Sequence, residues 1–236
     1  MTKKTILAAF VALMTVGTGS LTAADRPVVV ELFTSQGCSS CPPADAFLEE
    51  LAMRDDVIAL SLHVDYWDYI GWADTFGSPA HTARQRGYAK AHGHKMVYTP
   101  QMIVGGTDAV VGTHRAEVID LIDKHLAQDT ANITLEVARD DDTVTLRASM
   151  AQPRDTPLVV QRVRFKPQES VRIKRGENAG RTITYVNIVT GMDHLVTWDT
   201  RTPLAVQFDA AGEGASVILL QAGRHGPIAA AVRISP

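Results

Sequence analysis

Residues 28–48, VVVELFTSQGCSSCPPADAFL, decide the fold, because they join an apolar run to a helical pattern through a turn with two cysteines. Val28–Phe33 is mostly apolar, as in a buried parallel strand. After Cys41, apolar residues recur at helical spacing, and Pro42 and Pro43 stand in a first turn that tolerates missing N–H donors. The cysteines therefore lie where a strand passes into a helix, in a segment that we name the cysteine turn (residues 35–41).

The first half of the chain alternates strands and helices. Its pattern predicts, in order, a strand at Val57–Val64, a helix at Ser78–His92, a hairpin of Met102–Val104 with Ala109–Val111, and a helix from a Thr113 cap through Leu126. This is the element order of thioredoxin, and it predicts a small mixed sheet between helices. Ligands of such open sheets bind at strand-to-helix turns, where the cysteines lie.

From Asn132 onward the pattern changes to a period of two residues, which is typical of half-buried strands. Ile133, Leu135 and Val137 alternate with other residues, and similar short runs continue through the rest of the chain. We therefore expect three segments: a signal peptide at 1–24, a thioredoxin-like α/β domain at 25–130 and an all-β, sandwich-like domain at 131–236. The two domains are expected to join near residues 129–131.

The N-terminus has the pattern of a secretory signal peptide. Lys3 and Lys4 precede the apolar run Ile6–Val16, and small residues follow up to Ala24. The alternative is an uncleaved membrane anchor, but a core of about 11 residues is too short to span roughly 30 Å of hydrocarbon as a helix. We expect cleavage after Ala24 and a periplasmic or secreted protein.

Charge and hydropathy argue against two classes of partner. The formal net charge of −3 becomes −5 when Lys3 and Lys4 leave with the signal peptide, which leaves 21 basic and 26 acidic residues. Without a strong basic field, we expect no nucleic-acid partner. No later segment of the sequence has the 18 or more apolar residues of a membrane span, so we expect none after cleavage.

The only two cysteines are Cys38 and Cys41, and their spacing decides among three uses. As a structural staple, the pair would close a loop of about four residues and contribute roughly 2 kcal/mol, against about 3 kcal/mol for a 15-residue loop. A structural zinc site normally needs four ligands, and the sequence has no second pair. Outside the cytoplasm this spacing favours thiol–disulfide chemistry.

The two cysteines are expected to have different roles. Cys38 faces the positive end of the helix dipole and unpaired backbone N–H groups, which favour its thiolate. Cys41, one turn further in, is expected to be shielded and to act as the resolving thiol that attacks a mixed disulfide. Cys38 is therefore the predicted attacking thiol.

Thr99-Pro100 opens the strand that follows the second predicted helix. A proline weakens strand pairing, so this position favours a cis peptide bond, with an ordinary trans proline at a strand start as the alternative. In thioredoxin-like folds a cis-proline at this place lies beside the disulfide and leaves backbone groups free to pair with an extended substrate. We therefore expect Pro100 in the site and Thr99 in contact with substrate.

Four stretches of the sequence resemble one known family. They are LFTSQGCSSCPPAD at 32–45, HVDYWD at 63–68, YTPQ at 98–101 and GENAG at 176–180. Together they resemble the exported thioredoxin-like proteins catalogued as domain of unknown function 1223, over nearly all of the mature chain. The resemblance implies the fold and a redox role, and it supplies no substrate.

Glu31 is a candidate proton acceptor for Cys41. Thioredoxin carries a buried acid six residues before its first cysteine, where this chain has Leu32, and Glu31 lies one residue further back. An extra residue in the turn, such as Gly37, would place Glu31 on the same face as the thioredoxin acid. A buried carboxylate with a raised pKa suits proton transfer. The alternative is an acid in solvent at a strand end.

Further candidates for substrate contact surround the cysteine turn. His63 and Asp65 end the second predicted strand on the same side as the turn, and Trp67 belongs to an aromatic group that follows them. With Gln36, which lies next to the cysteines, we expect these residues to line the site, because rigid aromatic side chains form walls for peptides. Core packing is the alternative for the aromatic group.

These observations predict a thiol–disulfide oxidoreductase that acts on protein or small thiol and disulfide substrates without a cofactor or metal. Two other classes stay open. The thiolates, with His63 and Met96 or Met102, could hold a soft metal such as copper(I) in a carrier protein. The β-domain could instead be a recognition module beside a vestigial disulfide.

The loop 176–181, GENAGR, is the most distinctive stretch of the β-domain. Its two glycines permit unusual backbone angles, and Glu177, Asn178 and Arg181 offer polar contacts. We expect this loop to pack near the cysteine turn and to narrow substrate access. A surface turn between strands is the alternative.

Overall fold

The structure, a computed structural model, describes residues 26–128, 132–210 and 214–234. The predicted signal peptide and the predicted junction at 129–131 lie outside the described residues. The described helices are α1 Pro42–Ala52, α2 Pro79–Ala91 and α3 Arg115–Leu126. The described strands are β1 Val28–Thr34, β2 Val57–His63, β3 Gln101–Val104, β4 Asp108–Val111, β5 Ile133–Asp140, β6 Thr143–Met150, β7 Leu158–Arg172, β8 Thr182–Trp198, β9 Leu204–Asp209, β10 Ser216–Ala222 and β11 Ile228–Ile234.

One mixed sheet of eight strands dominates the fold, with the order β11-β10-β7-β8-β2-β1-β3-β4. β1 and β2 are parallel, from Val28 opposite Val57 to Thr34 opposite His63, and β3 and β4 complete that edge as antiparallel strands. A second, antiparallel sheet has the order β5-β6-β9. The protein is therefore a mixed α/β fold with an additional antiparallel sheet.

Strands of the C-terminal segment extend the sheet of the N-terminal segment. β8 runs parallel to β2, with Ile188 opposite Ser61, and β7, β10 and β11 continue the sheet outward. Every described element after residue 131 is a strand, as expected. Four of these strands nevertheless share a sheet with β1 and β2, so the division into domains at residue 130 stays a prediction.

The alternation of side chains along β1 sorts the core into two faces. Val30 and Leu32 pack with α1 and α3, whereas Val29 and Phe33 pack against Tyr88 of α2. All of β1 is buried, because helices cover both faces of this central strand. A third apolar cluster fills the space between the three-stranded sheet and β7, β10 and β11, as between the two sheets of a sandwich.

The starts of two helices follow from local chemistry. The Ser78 hydroxyl caps α2 by accepting a hydrogen bond of 3.2 Å from the N–H of Ala80. The prediction of Thr113 as the cap of α3 is wrong, since His114 occupies the cap position and makes no capping bond with its side chain. Thr113 lies instead within a turn that the His114 N–H closes by donating to the Val111 carbonyl at 2.9 Å.

Candidate functional site

The cysteine turn connects β1 to α1. Within it, the Cys38 N–H donates to the Ser35 carbonyl at 3.1 Å, and the Cys41 N–H donates to the Cys38 carbonyl at 3.3 Å. The two cysteines form a disulfide with their Cα atoms 5.4 Å apart. Cys41 is also the N-cap residue of α1, and Pro42 and Pro43 follow in the first helical turn, where N–H groups lack helical partners in any case. The disulfide therefore lies at the N-terminus of α1.

Both cysteines are covered in this oxidised state. Cys38 is 2% exposed and Cys41 is 0% exposed, while Ser39 and Ser40 between them are exposed. We expected the turn to expose Cys38 and the helix to shield Cys41, so the expected exposure of Cys38 is wrong for this state. Two other parts of the chain, the loop 176–181 and residues 66–72, lie against the cysteine turn.

The loop 176–181, between β7 and β8, reaches the cysteine turn from the C-terminal segment. The side-chain amide of Asn178 donates to the carbonyl oxygens of Gln36 at 3.0 Å and Cys38 at 2.8 Å. Asn178 is buried, so these hydrogen bonds are shielded from water. The prediction that this loop packs near the cysteine turn is confirmed.

The backbone of the loop 176–181 is shaped for this contact. Gly176 and Gly180 have φ values of +75° and +85°, in the left-handed region that favours glycine. The Gly180 N–H donates to the Ile173 carbonyl at 2.9 Å and closes the loop. At its exposed side, the Glu177 carboxylate accepts a hydrogen bond of 3.3 Å from the Ser39 N–H. The C-terminal segment therefore contributes polar side chains that bind the backbone of the cysteine turn at residues 36, 38 and 39.

A second covering element is the aromatic segment, residues 66–72. The Trp67 indole N–H donates to the Thr99 hydroxyl at 2.7 Å, and the Trp67 ring stacks on Tyr69 with centroids 6.4 Å apart. A Cβ at Gly37 would lie only 3.3 Å from the Trp67 Cβ, so a glycine there permits this close approach. The Thr99–Pro100 bond is cis, which confirms that prediction. Tyr69 is 80% exposed and, stacked on Trp67, presents an aromatic surface to solvent.

A buried polar cluster lies between α1 and the large sheet. The Thr34 hydroxyl, at the end of β1, donates to Asp45 Oδ1 on α1 at 2.8 Å. On β2, His63 Nδ1 hydrogen-bonds to Asp74 Oδ2 at 2.7 Å. The Tyr185 ring of β8 meets the His63 ring edge-to-face with centroids 4.7 Å apart. All five side chains are buried, so polar interactions in this cluster act with little screening by water.

Burial and neighbouring charges set the proton affinities in the cluster. Burial raises the pKa of Asp45 to about 7, although the nearby His63 offsets part of this effect. Burial also acts to raise the pKa of Asp74. The hydrogen bond and charge of His63, together with hydrogen bonds from the backbone N–H groups of Gln36 and Phe76, outweigh burial and hold that pKa below its ordinary value. For Tyr185, burial and then the charges of Asp45 and Asp74 raise the pKa. The cluster thus contains one carboxylate that stays ionised and one that titrates near neutral pH.

The structure places Glu31 on the opposite face of the sheet from α1, which corrects its predicted role as proton acceptor for Cys41. The Arg84 guanidinium of α2 donates two hydrogen bonds to the Glu31 carboxylate, at 2.6 and 3.0 Å. The Tyr88 hydroxyl donates a third. Successive side chains of a strand point to opposite faces, so Glu31 shares the α2 face with Phe33. The extra residue in the turn therefore does not bring Glu31 to the face of the sheet on which α1 lies.

Two residues predicted to contact substrate are buried instead. Gln36 is fully buried, and its side-chain oxygen accepts a hydrogen bond of 2.8 Å from the Trp72 indole N–H. His63 is fully buried as well, because its ring belongs to the buried polar cluster. Neither side chain offers accessible surface to a substrate in this oxidised state. The prediction of direct substrate contact is therefore wrong for both in this state.

The other predicted contact residues keep an accessible position. Asp65, Trp67 and Thr99 are all half-buried, and the first of them accepts a hydrogen bond of 2.5 Å from the Thr82 hydroxyl at the start of α2. The Trp67–Thr99 hydrogen bond joins the aromatic segment to the residue before Pro100. Their role in substrate binding stays a prediction.

The sulfur ligands of the alternative metal site are not assembled. Met96 is 78% exposed, whereas Met102 is buried in the core beneath α1. Among the described residues, no three His, Cys, Asp or Glu side chains are grouped so that they could hold a metal ion. In the same part of the chain, no helix has the length and apolar character that crossing a membrane requires.

Sequence reasoning missed four of the five members of the buried polar cluster, namely Thr34, Asp45, Asp74 and Tyr185. Asp45 follows Cys41 by four residues, and this helical spacing was a usable signal, because such residues lie on one helix face. Asp74 and Tyr185 carry no comparable local signal. They reach His63 only because the loop before α2 and a strand of the C-terminal segment fold against β2.

Comparison with known proteins identifies one family and one similar structure. The profile of a family described as "Protein of unknown function (DUF1223)" matches residues 29–221. The crystal structure of protein AGR_C_4864 from Agrobacterium tumefaciens is 32% identical in sequence, with a TM-score of 0.76, and the alignment covers 88% of this chain and 93% of that one. A search of curated proteins finds no match.

A second solved structure, of the hypothetical protein PH1083 from Pyrococcus horikoshii, is 15% identical. The alignment covers 43% of this chain and 84% of that one, and its TM-score of 0.22 is too low to support an argument about the fold. The profile match, in contrast, spans most of the 236 residues. The protein belongs to the DUF1223 family of proteins of unknown function.

Proposed function

We propose that this protein is an exported thiol–disulfide oxidoreductase of thioredoxin-like type, in which Cys38 and Cys41 cycle between disulfide and dithiol. The observation that carries this proposal is the disulfide itself, because the only two cysteines of the chain are paired within the turn that leads into α1. A cross-link across so short a loop is worth roughly 2 kcal/mol. Redox chemistry therefore explains the placement of the pair better than reinforcement does.

The surroundings of the pair support separate roles for the two sulfurs. The positive end of the α1 dipole lies at the cysteine turn and favours a thiolate there. Cys38 lies before the helix, whereas Cys41 is its N-cap residue and is held beneath the first turn. Cys38 attacks the substrate, and Cys41 resolves the mixed disulfide.

The element order supports the thioredoxin-like assignment. β1, α1 and β2 form a parallel unit, α2 follows, and β3, β4 and α3 complete the edge of the sheet. The signal-peptide pattern of residues 1–24 supports export. The disulfide is consistent with export, because disulfides persist in oxidising compartments. The substrates are thiols and disulfides of proteins or small molecules.

Equilibration of the mature chain, residues 25–236, with glutathione buffers of defined ratio tests this function. We expect the pair to shift between disulfide and dithiol as the ratio changes, measured by alkylation and mass spectrometry. We also expect the protein to accelerate disulfide exchange in a two-cysteine reporter peptide. Cys38→Ser should abolish the exchange, and Cys41→Ser should accumulate a mixed disulfide with the peptide.

Ser39→Ala serves as the matched control, since it changes an exposed residue of the same turn and should leave the exchange rate close to that of the unaltered chain. A disulfide that forms but never exchanges with the peptide would make the pair a structural cross-link and overturn the proposal. Trapping by Cys38→Ser and not by Cys41→Ser would reverse the assignment of the two thiols.

A further inference from the structure

Four buried polar atoms beneath α1 have no hydrogen-bond partner among the described residues. They are Asp45 Oδ2, Ser61 Oγ, His63 Nε2 and Tyr185 OH. Buried polar groups in proteins nearly always have partners, so each exception calls for an explanation. Because all four come from the elements that enclose the buried polar cluster, the pattern points to a place where protons are exchanged.

Asp45 connects this cluster to Cys41. It lies one helical turn after Cys41, and its N–H donates to the Cys41 carbonyl at 3.1 Å. Side chains on a helix lean toward its N-terminus, so the Asp45 carboxyl group leans over the turn that contains Cys41. The Thr34 hydroxyl donates a hydrogen bond to Asp45 Oδ1. Asp45 Oδ2 is therefore the oxygen that is free to exchange a proton.

The groups that face Asp45 come from three elements. His63 projects from β2, Asp74 from the loop before α2, and Tyr185 from β8. Asp74 stays ionised and holds His63 through Nδ1, so these two are positioning residues. Because burial removes Asp45 from water, and because the Asp74 carboxylate adds a smaller effect in the same direction, Asp45 keeps its proton up to a pH of about 7.

We propose that Asp45 is the general acid–base of the cysteine pair, exchanging a proton between its Oδ2 and the sulfur of Cys41. The inference rests on the proposed function, and it replaces the role first expected for Glu31. No other ionisable side chain of the described chain combines burial, a free oxygen and a position one turn from Cys41.

The reaction balances in both directions. When a substrate disulfide is reduced, the Cys38 thiolate attacks one substrate sulfur, the substrate S–S bond breaks, and the first substrate thiolate leaves. The Cys41 thiol then gives its proton to the Asp45 carboxylate and attacks Cys38 Sγ, which forms the protein disulfide and releases the second substrate thiolate. In the reverse direction, a substrate thiolate attacks Cys38 Sγ, and Cys41 leaves as a thiolate that takes the proton back from Asp45. A second substrate thiolate then attacks the substrate sulfur of the mixed disulfide, which forms the substrate disulfide and releases the Cys38 thiolate.

The test compares the mature chain with its Asp45→Asn variant in single-turnover reduction of the protein disulfide by glutathione, across pH 5 to 9. General acid–base catalysis contributes about 10²- to 10⁴-fold to rates, so we expect at least a tenfold slower reaction at pH 7. We also expect the variant to lose an inflection of the rate near pH 7. Glu49→Gln, at an exposed position of the same helix, is the matched control and should react like the unaltered chain.

A second pair of variants separates proton transfer from a structural effect. In Cys41→Ser, the Cys38 thiolate still attacks oxidised glutathione and releases one glutathione thiolate, but no proton moves at residue 41. Adding Asp45→Asn to this background should change that rate by less than about twofold, since general acid–base catalysis acts only where a proton is transferred. An equal slowing in both backgrounds would overturn the inference.

The outcomes also separate this inference from the proposed function. If the unaltered chain does not react with glutathione, the proposed function fails. If it reacts and Asp45→Asn shows the same rate and pH profile, the function stands and the role of Asp45 is overturned. Should Asp45→Asn fail to fold, carbon NMR of the unaltered chain decides: the Asp45 carboxyl should titrate near pH 7 and shift between the oxidised and reduced states, and an unchanged resonance would refute the role.

Discussion

Two buried carboxylates, Glu31 and Asp45, lie on opposite faces of the large sheet and have opposite surroundings. Glu31 is satisfied by two hydrogen bonds from Arg84 and one from Tyr88. Asp45 has one side-chain hydrogen bond, from Thr34, and one oxygen without a partner. A buried charge with a full set of partners is part of the structure, whereas a buried carboxyl group with an open oxygen can change its protonation state.

This contrast also shows why burial alone does not identify a catalytic acid. Arg84 joins Glu31 to β10 through the Gln221 side chain, at 3.1 Å, and to the Arg224 carbonyl, at 3.2 Å. The pair therefore ties β1, α2 and the C-terminal segment together. Asp45 instead stands beside the cysteine turn and binds no cation among the described residues. The predictions that follow test whether this division between a structural and a titrating carboxylate holds.

The largest expected effect is on stability and comes from breaking the Glu31–Arg84 pair. Arg84→Met leaves Glu31 as a buried carboxylate without a counter-ion, which should lower the free energy of unfolding by about 3–5 kcal/mol. Urea denaturation measures the loss. Adding Glu31→Gln should restore most of it, because a neutral pair leaves no uncompensated charge.

Arg115→Met is the matched control, since it breaks an ion pair with Glu50 at the surface. We expect the unfolding free energy to stay close to that of the unaltered chain, because exposed ion pairs contribute little. If Arg84→Met lowered the unfolding free energy as little as Arg115→Met, Glu31 would not be a structural carboxylate. The contrast between Glu31 and Asp45 would then not hold.

The second effect is a pH dependence of stability that belongs to Asp45. Its pKa rises from 3.8 to about 7 on folding, so between these values the folded state keeps a proton that the unfolded chain has released. Stability conferred by this proton is fully present below pH 3.8 and is lost as the pH rises through about 7. At about 1.4 kcal/mol per pKa unit, a rise of about 3 units corresponds to a loss on the order of 4 kcal/mol.

Asp45→Asn should remove this loss, because an amide does not titrate. Urea denaturation at pH 4, 6 and 8 should therefore show the variant gaining stability relative to the unaltered chain as the pH rises. Glu49→Gln provides the baseline, as an exposed substitution on the same helix. Parallel stability profiles for Asp45→Asn and the unaltered chain would mean that folding does not raise the pKa of Asp45.

The sequence predicted the elements around the cysteine turn because their signals are local. The run Val28–Phe33 and the helical spacing after Cys41 are complete within a short stretch, and the structure has β1 and α1 there. The face of the sheet on which the Glu31 side chain lies was not predictable in the same way. Every residue of β1 is buried, so no alternation of apolar and polar residues shows which side chain meets which helix.

Long-range pairing explains the other differences. Nothing local in β8 indicates that it joins β2 beside Ser61, so a C-terminal segment with strand periodicity was expected to form a sheet of its own. His63 ends β2 and was expected to face substrate, but Asp74 from a later loop binds it in the interior. The contact of the loop 176–181 was predictable because its glycines and polar side chains set it apart within the sequence.

A smaller effect is expected from the contact between the loop 176–181 and the cysteine turn. Asn178→Ala leaves the buried carbonyl oxygens of Gln36 and Cys38 without this donor, which should lower the unfolding free energy by about 1–3 kcal/mol. Because the loop also covers the turn, we expect Cys38 to react faster with glutathione. Glu177→Ala, which removes a contact at the exposed side, should change both quantities less.

Selectivity between substrates distinguishes control of access from a purely structural role of the loop 176–181, because a purely structural role would leave that selectivity unchanged. If the loop narrows access, Asn178→Ala should reduce the difference in rate between a small thiol and a folded protein substrate. Equal rate gains for both would show that the loop only stabilises the turn. This variant thus adds a third kind of buried polar group to the comparison, one that is satisfied and yet controls reactivity.

The smallest effect is expected at the half-buried hydrogen bond between Trp67 and Thr99, beside the cysteine turn. Trp67→Phe keeps an aromatic ring and removes the N–H donor, and Thr99→Val removes the acceptor. Because this bond is partly open to water, each change should lower the unfolding free energy by less than about 1.5 kcal/mol, and a double-mutant cycle should give a coupling of about 0.5–1 kcal/mol. For exchange, we expect a few-fold higher KM for the reporter peptide with glutathione rates unchanged, because the proposed contact of the ring is with the peptide and not with the sulfur. A coupling as large as the loss in Arg84→Met would place Trp67 with the structural groups, and an unchanged KM would remove the aromatic segment from the substrate site.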